Sequence, residues 1–144
     1  NHENLTVSEM LNILNKKSGV LGMSGGISSD FRDLNAAAND GNEIAKVTLE
    51  AYAYRVAKYI GAYTAAMNGV DVVAFTAGVG ENNIGGRVEI CKYLGYLGTE
   101  IDLDKNNVRG EERIISKDGS KVTLMAIPTN EELAIARQTL ALVK

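Results

Sequence analysis

Tryptophan is absent from this sequence, and cysteine, proline and histidine occur once each. The lone Cys91 has no partner for an internal disulfide, and one histidine beside one cysteine is too small a set for a zinc site. A reducing compartment suits such a chain, so a cytoplasmic location is expected. No stretch approaches the roughly 18 consecutive apolar residues that a spanning helix needs, and no basic-then-apolar signal pattern opens the chain. A membrane partner is therefore not expected. Nor is nucleic acid, because the net charge of -3 is small and interspersed, leaving no basic stripe to neutralise a phosphate backbone.

What is present is ordinary for a globular domain. Hydrophobic residues make up 45% and charged residues 23% of 144 residues. A chain of that size buries about two thirds of its unfolded surface in one core. It opens on Asn1 rather than methionine, with His2 beside that end. The expectation is a piece of something longer.

Periodicity and punctuation give the order of elements. Thr6-Val7-Ser8-Glu9 reads as a capping box ahead of a short helix through Met10, Leu11, Ile13 and Leu14, stopped at Lys16-Lys17-Ser18-Gly19. A glycine- and serine-rich loop from Val20 to Asp33 and a short helix from Leu34 to Asn39 follow. From Asn42 to about Met67 runs the longest helical pattern, with Ala45, Leu49, Tyr52, Val56, Ile60 and Tyr63 on one stripe and Ile44, Val47, Ala51 and Tyr54 on a second beside it. Such a helix is expected to be covered on more than one side. Val70 to Thr76 reads as a strand buried on both faces, and a helix from Asn83 or Ile84 to Leu97 follows it, with Cys91 as a small core residue. Glu100 to Leu103, Arg113 to Ser116 and Val122 to Ile127 read as strands, the last two joined by the Lys117-Asp118-Gly119-Ser120 turn. The final helix starts at a second capping box, Thr129-Asn130-Glu131-Glu132, and carries Leu133, Ala136, Leu140 and Val143. The predicted class is α/β, with helices on both sides of a sheet.

Three segments can carry chemistry. The strand ending at Thr76 delivers Gly78-Val79-Gly80 into a helix start, where bare backbone and helix N–H groups let a phosphate or ribose approach. The same residues also suit a tight strand-to-helix turn with no ligand: Asn83 occupies the last glycine position of a dinucleotide fingerprint, and no Gly-Lys-Ser/Thr follows as in a P-loop. Ser28-Ser29-Asp30-Phe31-Arg32-Asp33 offers an arginine that can stack on a base and carboxylates that can accept from sugar hydroxyls, with a solvated loop and an N-cap at Asp33 as the alternative. Glu131, in a first helical turn after a strand and Pro128, can help hold a magnesium ion, although acidic residues are also favoured there by the helix dipole alone.

Taken together, SGVLGMSGGISSDFRD, FTAGVGENN, RGEERIIS and IPTNEELAIAR resemble acetate kinase, in that family's order and over essentially the whole chain. The resemblance implies the actin-like fold of the acetate and sugar kinase superfamily, a ribonuclease H-like ATPase architecture, with residues 1–144 as most of the second of two domains. It implies that Asp30, Phe31, Arg32, Gly78, Val79, Gly80, Glu81 and Asn82 line the adenosine side of an ATP cleft, the turns around Asp30 and Gly78 sharing one crevice, and that Glu131 is the magnesium-associated carboxylate. Full-length members transfer the γ-phosphoryl group of ATP to acetate, giving acetyl phosphate, and run in reverse. The groups at the acyl phosphate, an asparagine, two arginines, a histidine and an aspartate, and a His-Leu-Gly phosphate loop, precede the segment matched here, so this chain alone is expected to be inactive. The family is homodimeric through this domain, and a dimerisation or folding module without a competent nucleotide site is the rival reading. Propionate is the rival acyl substrate. Where the family usually has an aliphatic residue before the arginine matching Arg87, this chain has Gly86 after Gly85, which weakens one wall of the adenine pocket that the resemblance implies.

Overall fold

The computed structural model describes residues 4–143, so the readings placed on Asn1 and His2 lie outside the described residues. The chain forms two units, one ending at Tyr59 and one beginning at Ile60, with the boundary inside a long helix.

The first unit is helical. Helix α1 (Val7–Asn12) starts at the expected reciprocal cap: the Glu9 N–H donates to the Thr6 hydroxyl at 3.3 Å, and the Thr6 N–H donates to the Glu9 carboxylate at 2.8 Å. It continues as a π-turn over Ile13–Lys17, after which the Ser18 hydroxyl donates to the Ile13 carbonyl at 2.8 Å. The loop expected from Val20 to Asp33 is partly helical, because α2 (Gly19–Met23) occupies its start and α3 (Phe31–Asn39) begins before Leu34. The cap explains the earlier start: Asp30, not Asp33, accepts from the Arg32 N–H at 2.8 Å.

Helix α4 (Glu43–Ala66) begins where the Ala45 N–H donates to Asn42 Oδ1 at 3.0 Å. Its covered face centres on small side chains, Ala45, Thr48, Ala53 and Ala57, with Leu49, Tyr52, Val56 and Ile60 half-buried beside them and Tyr63 exposed. The buried Thr48 hydroxyl donates back to the Ile44 carbonyl at 2.7 Å, so it carries no desolvation penalty. The expectation of cover on a second side is not met within this chain: Ile44, Val47 and Tyr54 are exposed.

The second unit is built on a mixed sheet with strand order β1-β3-β2, comprising β1 (Val72–Phe75), β2 (Arg113–Ile114) and β3 (Thr123–Ala126). Strand β1 runs parallel to β3 with Phe75 opposite Ala126, and β2 runs antiparallel to β3 with Ile114 opposite Met125. The antiparallel pair is the expected hairpin across the Lys117–Ser120 turn, shortened at both ends. The segment from Glu100 to Leu103 pairs only through an isolated Ile101–Ser116 bridge. In β1 burial alternates, with Val73 and Phe75 buried and Val72 and Ala74 exposed, so the strand is covered on one face and not on both.

The parallel crossover from β1 to β3 carries α5 (Ala77–Asn82), α6 (Ile84–Cys91) and a 3-10 turn at Gly95–Leu97. The helix expected to reach Leu97 ends at Cys91. Buried Val73, Phe75, Ile90, Leu94, Val108, Ile115, Val122, Leu124 and Ala126 are the apolar interior residues of this unit. Helix α7 (Glu131–Val143) closes the chain with none of its residues buried. Its cap also differs from the expected box. The Leu133 N–H donates to Asn130 Oδ1 at 3.0 Å, because the Thr129 hydroxyl is engaged elsewhere. Among the described residues, no helix is long and apolar enough to cross a membrane.

Candidate functional site

Strands β1 and β3 are parallel and end side by side, with Phe75 opposite Ala126, so the segments leaving them, Thr76-Ala77 and Ile127 to Thr129, lie together at the carboxyl ends of the strands, the edge at which open α/β sheets take ligands. Hydrogen bonds between residues far apart in sequence join these segments. The hydroxyls of Thr76 and Thr129 lie 2.8 Å apart, the Ala77 N–H donates to the Thr129 hydroxyl at 3.0 Å, and the Thr129 N–H donates to the Glu81 carboxylate at 3.1 Å. Ala77 adopts a left-handed backbone with φ of 58°, which costs an alanine on the order of 1 kcal/mol. Such a cost persists only where the surroundings fix the conformation, and it clusters at functional sites.

The Gly78-Val79-Gly80-Glu81-Asn82 segment lies wholly within α5, and the Asn82 amide donates to the Gly78 carbonyl at 3.1 Å. Its glycines have different reasons to be there. A Cβ on Gly80 would come within 3.0 Å of the Phe75 carbonyl carbon, so Gly80 allows α5 to fold back on the strand end. A Cβ on Gly78 would meet nothing within 4 Å, so that position faces open space beside exposed Val79. Gly86 has a local explanation: the Asn83 side chain, which accepts from the Gly86 N–H at 3.0 Å, occupies the place a Cβ would take. Gly85 faces open space.

Arg87, singled out in the sequence only as a landmark, is 1% exposed and anchors this region. Its guanidinium donates to the Gly80 and Glu81 carbonyls, each at 2.8 Å, to Asn106 Oδ1 at 2.7 Å, and to the Asn106 and Val108 carbonyls at 2.8 and 2.9 Å. Asn106 is equally buried and returns its amide to the Ile84 carbonyl at 3.1 Å. Five donors thus meet five acceptors without a carboxylate. Burial nonetheless pulls the Arg87 pKa below its ordinary value. Burial likewise pushes the nearby Cys91 thiol up to about 12, against the opposing field of Arg87, so Cys91 is a protonated packing residue and not a nucleophile. Neither Arg87 nor Thr129 belongs to a recognisable ligand motif. A threonine at the end of one strand-like run, Thr76, and another two positions beyond a second, Thr129, were the only sequence signal for the clasp.

The Asp30-Phe31-Arg32 segment lies in the first unit, where it forms a compact charged turn. The Arg32 guanidinium grips the Asp30 carboxylate, Nε at 3.1 Å and a terminal nitrogen at 2.6 Å, while its side chain stays 90% exposed. Arg32, first through its side chain and then through its backbone N–H, holds the Asp30 pKa at about 2. The Ser28 hydroxyl donates to Asp33 at 2.8 Å and accepts from the Asp30 N–H at 3.0 Å. Half-buried Phe31 stands edge-on to Tyr52, with centroids 4.6 Å apart.

Glu131 is exposed in the first turn of α7, two positions beyond the Thr129 clasp. Among the described residues, no three His, Cys, Asp or Glu side chains converge as a metal cage. Magnesium held by nucleotide phosphates, water and one carboxylate needs no cage, and an exposed Glu131 two positions beyond Thr129 fits that mode.

The model of the Acetokinase family matches residues 1–137. An acetate kinase of Lachnoclostridium phytofermentans is 61% identical over 141 residues, covering 98% of this chain and 35% of that protein. Among solved structures, the acetate kinase of Porphyromonas gingivalis aligns with a TM-score of 0.89 at 46% identity, over 99% of this chain and 36% of that one. A propionate kinase of Francisella tularensis aligns with a TM-score of 0.82 at 39% identity, over 93% of this chain and 34% of that one. The chain thus spans about a third of the length of the curated relatives it matches.

Proposed function

This chain belongs to the acetokinase family, and from that premise we propose that it is the nucleotide-binding C-terminal part of an acetate kinase whose full length converts ATP and acetate to ADP and acetyl phosphate. The observation that supports this best is the joining of the heads of α5 and α7 by hydrogen bonds at the carboxyl ends of the parallel strands β1 and β3. Backbone of Gly78, Val79, Gly80, Glu81 and Asn82 offers a close approach for adenosine, with Gly78 leaving room for it. Asp30, Phe31 and Arg32 are proposed as further adenosine contacts, on the strength of the resemblance. Asp30 fixes the Arg32 guanidinium in its fork and leaves it exposed, free to stack on a base. Glu131 supplies one carboxylate to Mg2+, which when bound with nucleotide neutralises charge on the transferring phosphoryl group.

A cytoplasmic location is proposed with it, resting on the unpaired Cys91. Propionate remains the alternative acyl substrate, in keeping with the likeness to a propionate kinase. The test is calorimetry of Mg-ADP with this chain beside a hydroxamate assay for acetyl phosphate. Weak heat with no acyl phosphate is expected. Absence of ADP binding, or acyl phosphate made by this chain alone, would count against the assignment.

A second reading, compatible with the first, is that α4 mediates a homodimer. Its outer stripe of Ile44, Val47 and Tyr54 is more than half exposed at each position, a large apolar face for water to cover.

A further inference from the structure

Glu81 belongs to the segment proposed for adenosine, yet its carboxylate points at protein. One oxygen accepts from the Thr129 N–H at 3.1 Å, across 48 residues of sequence. Thr129 is held a second time through its hydroxyl, by Thr76 and by the Ala77 N–H. Asn130 then caps α7, and Glu131 is the helix's first residue. With α7 burying none of its residues, this clasp and cap are the fixed points from which Glu131 projects.

The far side of Glu81 is equally determined. Arg87, buried and locked to Asn106, donates to the Glu81 carbonyl at 2.8 Å and so sets the backbone from which the Glu81 side chain springs. The chain of contacts runs from a buried guanidinium through Glu81 to the Thr129 amide and the head of α7. The Glu81–Thr129 bond is of ordinary length at 3.1 Å, and its importance is that it joins α5 to the head of α7.

We propose that Glu81 is a positioning residue that holds the α7 head so that Glu131 meets a nucleotide-bound magnesium ion. The proposal rests on the reading of Glu131 given above and deepens it. Adenosine-side and metal-side elements are then one mechanical unit: displacing α5 displaces the metal carboxylate.

The test is ADP affinity by calorimetry, with and without Mg2+, in the parent chain, Glu81→Ala, Glu81→Gln, Glu131→Gln and the Glu81→Ala/Glu131→Gln double variant. Mg2+ should tighten ADP binding to the parent chain. Glu81→Ala should cut that enhancement about tenfold or more, as loss of a residue supporting a metal ligand does, and should weaken metal-free ADP binding by much less than it weakens binding with Mg2+. Glu81→Gln, which keeps an acceptor oxygen, should retain most of the enhancement, and the double variant should lose no more than Glu131→Gln alone. If Glu81→Ala fails to fold, Glu81→Met removes the acceptor at similar length. An intact Mg2+ enhancement in Glu81→Ala, with its loss in Glu131→Gln, would overturn the positioning role and leave the nucleotide reading standing. Equal weakening with and without Mg2+ would make Glu81 a direct nucleotide contact and also overturn it. Unchanged enhancement in both single variants, or no ADP binding by the parent chain, would refute the reading of the site itself and this inference with it.

Discussion

At the scale of single residues, glycines that look alike in sequence separate by what a methyl group would strike. Gly80→Ala should lower stability by about 1–3 kcal/mol, the usual cost of overpacking, because its Cβ would press on the Phe75 backbone. Gly78→Ala should leave the melting temperature unchanged and weaken ADP binding, because the added methyl enters the space assigned to ligand. Melting curves beside calorimetry on the two variants check both halves. Asp30 offers a pH test. Its folded pKa of about 2 lies below the ordinary carboxylate value, so its contribution is present above about pH 4 and is lost as pH falls through 2. Carboxyl NMR should find that midpoint, and Arg32→Ala should return it to the ordinary range. Of these features only the residue types were legible in the sequence. That Gly78 faces space while Gly80 faces backbone depends on how α5 folds back on β1, which no local pattern encodes.

At the scale of elements, the sequence was most readable where a local rule suffices. The Thr6–Glu9 box, the long α4 and the hairpin across Lys117–Ser120 follow from capping, periodicity and turn chemistry. It was least readable where a distant partner intervenes. Thr129 fits a capping box by spacing, but Thr76 and Ala77 claim its hydroxyl and the cap passes to Asn130. The cap of α3 falls on Asp30 instead of Asp33 for a local reason, since the Asp30 carboxylate reaches the N–H two residues on. The candidate site residues Gly78 to Asn82 and Glu131 were nameable from the resemblance, whereas Arg87 and Asn106, which fix α5, were not. Arg87→Met should destabilise the chain by about 3 kcal/mol or more, since it leaves several buried carbonyls unpaired. Arg87→Lys should cost less but not nothing, because an ammonium's three donors cannot serve five acceptors. Chemical denaturation of the two variants reads the difference.

At the scale of the whole molecule, the α/β class and the family are firm, and the surfaces that exceed the needs of a solitary domain are those flagged by excess apolar residues. A second α4 stripe was expected to be covered, and in one copy it is not. Sedimentation should find a dimer, and Val47→Glu should yield a monomer of unchanged helicity if that stripe is the contact. A monomer in the unaltered chain would dismiss the dimer reading while leaving nucleotide binding open to its own test.

Helix α7 has 13 residues, none of them buried, and it is capped at its head, where the Leu133 N–H donates to Asn130 Oδ1. A helix of that length is marginal in water on its own, so cohesion should decay from Glu131 toward Val143. Unwinding would then begin away from the cap and travel back, and the turn bearing Glu131 would be the last of that helix to let go.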